Sequence, residues 1–192
     1  MRVLRSTLLF AVLCALAATA FGQAPSIGAA APDFQLTTLD GKAFSLASAA
    51  RDHKAVVLMF ISTQCPYSNA YNDQMKALAN GYASKGVLFV GINSNKTEDA
   101  AAAIAHAKAH GHTFPIMKDP NNKVADLYDA RHTPEVYVVD PEGKLRYHGR
   151  ITADHEDPAS SPDLKNALDS YLAGKPIART ETKAFGCSIK RV

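Results

Sequence analysis

Apolar and polar positions change rhythm repeatedly along the chain. The first apolar run covers residues 8–18, stands behind Arg2 and Arg5, and gives way to small residues. It is shorter than the roughly 20 apolar residues of a membrane-crossing helix. Basic start, apolar run and small residues together match a secretory signal cleaved after Ala20 or Gly22; a retained N-terminal anchor is the alternative. Further on, FQL and AFSL alternate around Asp40-Gly41, a hairpin signal. Residues 55–61, AVVLMFI, are continuously apolar and of strand length, the pattern of a central strand buried on both faces. GVLFVGIN repeats it.

Helical spacing takes over between these strands. Tyr71, Met75, Leu78, Ala79 and Tyr82 predict a helix over residues 68–83. Thr97, Glu98 and Asp99 cap and charge the start of an alanine-rich helix that stops at Gly111. Residues 114–118 read as a short strand, 121–129 as a short helix and 135–140, EVYVVD, as an apolar strand. DPEGK is a turn, LRYHGRI the returning strand, and residues 162–172 a final amphipathic helix. Strands alternating with helices, closed by a hairpin and a helix, predict an α/β domain with a mixed central sheet flanked by helices. The expected organisation is a signal peptide over residues 1–22, one domain over 23–174 and a C-terminal tail over 175–192.

Charge narrows the partners. The 21 basic and 18 acidic side chains give a net charge of +3; removing residues 1–22 takes away Arg2 and Arg5 and no acid, leaving +1. Without a basic block, nucleic acid is not an expected partner, and after signal cleavage no stable membrane insertion is expected. Cleavage also removes Cys14, where Leu13 stands in place of the small residue that lipidation requires. Cys65 and Cys187 remain, an even number bound for an oxidising compartment.

The chemistry concentrates in FISTQCPYSNAY. Cys65 stands where an apolar strand gives way to a helix, so the free amides of the first helical turn favour its thiolate. That effect is worth about 0.3 to 1 kcal/mol, up to about 2 in partly buried geometry, which lowers a thiol pKa of about 8.5 by at most roughly 1.5 units. Pro66 suits the first helical position. Gln64 and Tyr67 do not read as core, and Ser68 stands where a second cysteine would complete a CxxC. Thr133-Pro134 opens the strand EVYVVD; a cis bond there would turn the chain sharply and aim the Thr133 backbone at whatever lies opposite. His106 and His110 have metal-ligand spacing, with His112 close by, but no local carboxylate or cysteine accompanies them, so a solvated helix end is expected and no metal site. Asp154, His155, Glu156 and Asp157 read as a solvent-facing loop. Arg131 and His132 flank the proline and either bias the field at the thiolate or are exposed loop residues.

Together, GAAAPDFQLTTLDGKAFSL, FISTQCPYS, GVLFVGINSN, Thr133-Pro134 before EVYVVDPEGK, and the ending FGCSIK resemble the thioredoxin superfamily. More narrowly, they resemble its peroxiredoxin-like branch, related to alkyl hydroperoxide reductase and thiol-specific antioxidant proteins. The resemblance implies a thioredoxin-like fold with an N-terminal β-hairpin and an extra βα insertion. It makes Cys65 the reactive thiol and Pro134 the cis-proline facing it, with Ser62, Gln64, Pro66, Tyr67 and Thr133 as neighbours. The implied activity is a secreted, periplasmic thiol-dependent oxidoreductase that acts on peroxides or on thiols and disulfides. No organic cofactor is needed, and an external dithiol protein serves as reductant. Two departures stand out. Ser68 cannot resolve a mixed disulfide, and Leu58 and Ser62 replace the proline and threonine that typical peroxiredoxins carry seven and three residues before the cysteine, although Ser62 still offers a hydroxyl.

The partner thiol is then Cys187, thirteen residues beyond Gly174. At roughly 3.3 to 3.6 Å per residue that tail reaches about 43 to 47 Å, Gly186 permits close backbone approach, and Phe185 and Ile189 can pack the tail down. Three arrangements stay open. The Cys65–Cys187 bond cycles with Cys187 as resolving thiol; it is a static staple closing a loop of about 100 residues, worth roughly 4.7 kcal/mol; or the thiols stay unpaired or bridge two chains. The reading from another class is a copper- or haem-assembly protein that binds through Cys65 without turnover.

Overall fold

The computed structural model describes residues 24–154, 156, 157, 159 and 161–192; the expected signal segment, Cys14 and His155 lie outside them. Its centre is β3 (Ala55–Phe60), all six residues of which are buried. β3 pairs in parallel with β4 (Val87–Asn93) and antiparallel with β7 (Glu135–Val139). β5 (Ile116–Lys118) extends the sheet beyond β4, and β8 (Leu145–Gly149) extends it beyond β7, giving the order β5-β4-β3-β7-β8. Side chains alternate across a strand, so Val56, Leu58 and Phe60 enter one core while Val57 and Met59 enter the other.

The first core lies under the hairpin of β1 (Gln35–Thr37) and β2 (Ala43–Ser45), with α1 (Leu46–Asp52) and α5 (Lys123–Tyr128) packed on it. The second lies under α3 (Asn72–Ala83) and α6 (Asp163–Leu172). Between β4 and β5 runs α4 (Ala100–His110), capped by the Asp99 carboxylate on the amide of Ala102 at 2.7 Å and closed by Gly111 in the left-handed region. This is the α/β architecture that the alternation predicts: a mixed sheet with helices on both faces.

Three features bear on function. The helix expected over residues 68–83 is two helices, α2 (Pro66–Ala70) and α3, separated at Tyr71. The Tyr71 ring is buried and its hydroxyl lies 2.9 Å from that of Thr152, so a distant contact fixes the break. The chain after the hairpin turns at Ser45 into α1, which the alternating pattern concealed; the Ser45 hydroxyl accepts from the amide of Ser48. Most consequential, the tail is laid along the domain. Its Thr182 amide donates to the His148 carbonyl at 3.0 Å, and β9 (Cys187–Ser188) pairs antiparallel with β6 (His132–Thr133).

Of the three histidines His110 is exposed at the helix end, as expected, but His106 and His112 are not. The His112 ring stacks on Phe114 at 4.9 Å and donates through Nε2 to Asn72, whose amide donates to His106. Burial first, then the charges of His106, His110 and Lys76, push His112 down to about 4 from an ordinary 6.5; Asp73 acts weakly the other way. Among the described residues, no group of three or more His, Cys, Asp or Glu side chains is placed to hold a metal ion. The unfolded chain therefore takes a proton on His112 more readily than the folded one, and this contribution to stability, complete above pH 6.5, is lost as pH falls toward 4. Urea midpoints measured from pH 7 to 4 should fall more steeply for the wild type than for His112→Asn. Parallel slopes would contradict this account.

Candidate active site

Beyond Phe60 the chain stays with the sheet for one more bond, from Ile61 to the Ile92 carbonyl, and then leaves it through residues 62–64. Cys65 follows as the N-cap of α2, with Pro66 in the first turn. Its sulfur accepts from the amide of Ser68 at 3.3 Å and from that of Cys187 at 3.4 Å, while the thiol donates to the Thr133 carbonyl at 3.1 Å. The peptide bond between Thr133 and Pro134 is cis. Cys65 is only 2 % exposed, with Gln64, Pro66 and Tyr67 exposed around it and the Phe185 ring edge-on to that of Tyr67 at 6.2 Å. The five-residue α2 is too short for a large macrodipole; the anion-favouring contacts are discrete amides, one of them from the tail.

These contacts split the two thiols. Burial works against a charge on Cys65, but the hydrogen bond from the Cys187 thiol and those from the amides of Ser68 and Cys187 outweigh it and hold the thiol below its ordinary range. Cys187 moves the opposite way: burial raises it, and so do its hydrogen bond to Cys65 and the charge there. One sulfur is thus favoured as thiolate, the nucleophilic form, and its neighbour as thiol.

The loops on either side hang on buried acids. Ser62 accepts through its hydroxyl from the amides of Gln64 (3.1 Å) and Cys65 (3.0 Å) and donates to Glu98 at 2.5 Å. Its hydrogen is thereby committed, and the free hydroxyl expected at this position is absent. The Ser68 hydroxyl accepts from the Ser62 amide, so the serine in the would-be second-cysteine position ties the turn together. Gln64 accepts from the Thr97 hydroxyl. On the proline side, Glu135 accepts from the amides of Arg131 (2.8 Å) and His132 (2.9 Å), from the Tyr137 hydroxyl and from His148 Nε2 (2.7 Å). Burial raises the Glu135 carboxyl, yet the His148 and amide bonds outweigh it and keep the group acidic. The Arg131 guanidinium is taken up by Asp129.

Glu98 and Glu135 are the site residues that sequence reasoning missed. The available signal was the density of polar residues in NSNKTED immediately beyond the carboxyl end of a buried strand, the edge where α/β sheets place their sites.

Comparison with known proteins gives a consistent picture. The model of the AhpC/TSA family matches residues 27–148. A hypothetical protein from Sinorhizobium meliloti superposes with a TM-score of 0.80 at 32% identity, over 88% of this chain and 97% of that one. An uncharacterized conserved protein from Geobacillus kaustophilus gives 0.81 at 34% identity, over 87% and 93%. The thiol-disulfide oxidoreductase ResA of Bacillus subtilis is 29% identical over 148 residues, 74% of this chain and 80% of that protein.

Close approach of the tail depends on Gly186. At φ of 147°, a Cβ on this residue would stand 2.1 Å from the Thr133 carbonyl oxygen. Gly186→Ala should therefore lift β9 off β6 and expose Cys65. Its alkylation by iodoacetamide should accelerate by about tenfold, the ratio that a 1.4 kcal/mol weakening of the contact gives; an unchanged rate would show that the tail does not cover the thiol.

Proposed function

Because the chain belongs to the AhpC/TSA family of thioredoxin-like redoxins, and is an oxidoreductase of that family, we propose that it exchanges thiols and disulfides with Cys65 as nucleophile and Cys187 as resolving thiol. The supporting observation is the direct approach of the tail strand, which pairs Cys187 with Thr133 and points its amide at the Cys65 sulfur. The Cys65 thiolate attacks a substrate disulfide, forming a mixed disulfide and expelling one substrate thiolate. Cys187 then gives up its proton and attacks the Cys65 sulfur, expelling the second. The substrate gains two electrons and the enzyme holds a Cys65–Cys187 disulfide, which an external dithiol protein reduces.

Peroxide reduction is the weaker branch. A hydroxyl at position 62 that donates to Glu98 has no proton to offer a peroxide oxygen at Cys65. In the same proposal, residues 1–22 direct the chain to the periplasm and are removed, residues 23–174 form the catalytic domain, and residues 175–192 are the tail that delivers Cys187. The curated relative ResA carries the name thiol-disulfide oxidoreductase, in line with exchange rather than peroxide chemistry.

Ellman's disulfide, 5,5′-dithiobis(2-nitrobenzoate), added in slight excess, separates the roles. Wild type should release two thionitrobenzoates per chain, one on attack and one on resolution, and end as the internal disulfide by mass. Cys187→Ser should release one and keep the other bound. Cys65→Ser should react at least about tenfold more slowly, leaving only the less acidic thiol. Two equivalents from Cys187→Ser, or a wild-type rate from Cys65→Ser, would refute the assignment; oxidation by equimolar hydrogen peroxide outrunning the disulfide would move it to peroxide reduction.

A further inference from the structure

We propose, building on the Cys65–Cys187 exchange above, that Glu98 is a positioning residue that holds the loop bearing Cys65 and the tail bearing Cys187 in one register. Glu98 touches neither sulfur. It is 2 % exposed, and its carboxylate takes five donors. One oxygen accepts from the Ser62 hydroxyl (2.5 Å) and from the Asn95 side-chain amide (2.6 Å). The other accepts from the Thr63 amide (2.6 Å), the Thr63 hydroxyl (2.8 Å) and the Asn93 side-chain amide (2.6 Å). A carboxylate has about four lone-pair sites, so it is saturated and has no spare capacity for a ligand or a metal.

What those donors do next gives the residue its role. Ser62 passes the constraint directly to the Cys65 amide at 3.0 Å. Asn95 passes it to the tail, its side-chain oxygen accepting from the Lys190 amide at 2.7 Å, while the Lys96 amide donates to the Lys190 carbonyl at 2.9 Å. Lys190 lies three residues beyond Cys187, just past β9. One buried acid thereby sets both cysteine-bearing segments, each through a single intervening side chain. Lys118 closes the cluster, donating to the Asn93 side chain and the Asn95 carbonyl. Burial raises the Glu98 carboxyl, but its hydrogen bonds outweigh burial and keep it acidic, so the network is ionised at neutral pH.

Glu98→Gln keeps the shape and puts an NH2 against donors. Two readouts follow in full-length mature protein. Amide hydrogen exchange at Cys65 and at Lys190 should both accelerate relative to the amides of β3, whereas Asn95→Ala should accelerate Lys190 alone. The equilibrium constant of the Cys65–Cys187 disulfide against glutathione should fall about tenfold in Glu98→Gln, as misplaced reacting groups do. Unchanged exchange at either amide, or an unchanged disulfide constant in a variant that merely melts earlier, overturns the inference. If Glu98→Gln does not fold, Asn95→Ala decides: a lower disulfide constant with the Cys65 exchange rate of the parent supports the relay, and an unchanged constant overturns it. A wild type that forms no internal disulfide with glutathione overturns the functional reading instead, and the wild-type measurement alone reveals it.

Discussion

Two backbone pairs, His132 with Ser188 and Thr133 with Cys187, put the second cysteine against the first. Register is strict here, because a slip of one residue would turn the Cys187 side chain to the opposite face. So short a ladder does not hold a tail unaided: ordering one residue costs about 1 to 2 kcal/mol, while a hydrogen bond returns about 0.5 to 1.5. The remainder comes from anchors on both sides. Upstream, the Thr182 hydroxyl and carbonyl lie against Gly149, 2.1 and 2.3 Å from where a Cβ there would stand. Downstream, Ile189 is 5 % exposed within the first core, where burying such a side chain is worth about 1.5 to 3 kcal/mol. The Val192 amide donates to Asn122, close to the chain end.

The partner strand β6 needs support of its own, and so does the loop bearing Cys65. In both places an ionised acid at the carboxyl edge of the sheet, or at the entry of its antiparallel strand, satisfies amides that no ladder reaches. Glu135 opens β7 and gathers the amides of Arg131 and His132; Glu98 follows β4 and gathers the loop before Cys65. Desolvating a carboxylate costs several kcal/mol, repaid only when its lone pairs are filled with good geometry. The same rule explains why these acids specify structure so strongly. Each tolerates one arrangement of its donors, and that arrangement is the conformation of the loop.

How far the sequence announces this depends on whether local or distant contacts decide an element. The runs that became β3 and β4 are buried on both faces, so composition alone marks them. The ends of α4 are equally local, set by Asp99 and Gly111. By contrast, helical spacing passes uninterrupted through Tyr71, and the break there is fixed by Thr152, 81 residues away. α1 was hidden because its seven residues follow a strand without a turn signal. Glu98 sits in a stretch that is also a good helix start, and only donors from residues 62 and 63 turn it into a buried acid. That the tail packs down is legible in Phe185 and Ile189, but its register is not, since its partner is a backbone more than 50 residues upstream.

The unequal environments of the two sulfurs also give the proposed cycle a direction. Cys65 is buried under β9, while Cys187 is partly exposed. In a Cys65–Cys187 disulfide, an incoming reductant thiolate therefore meets the Cys187 sulfur first. Attack there makes Cys65 the leaving group, and exchange is faster when the departing thiol has the lower pKa. The contacts that hold Cys65 acidic are thus useful twice, once when it attacks a substrate disulfide and once when it is expelled. The amide of Ser68 is supplied by α2 itself and does not depend on the tail. The Cys187 amide contact depends on β9 being seated against β6, which ties the acidity of Cys65 to the position of the tail.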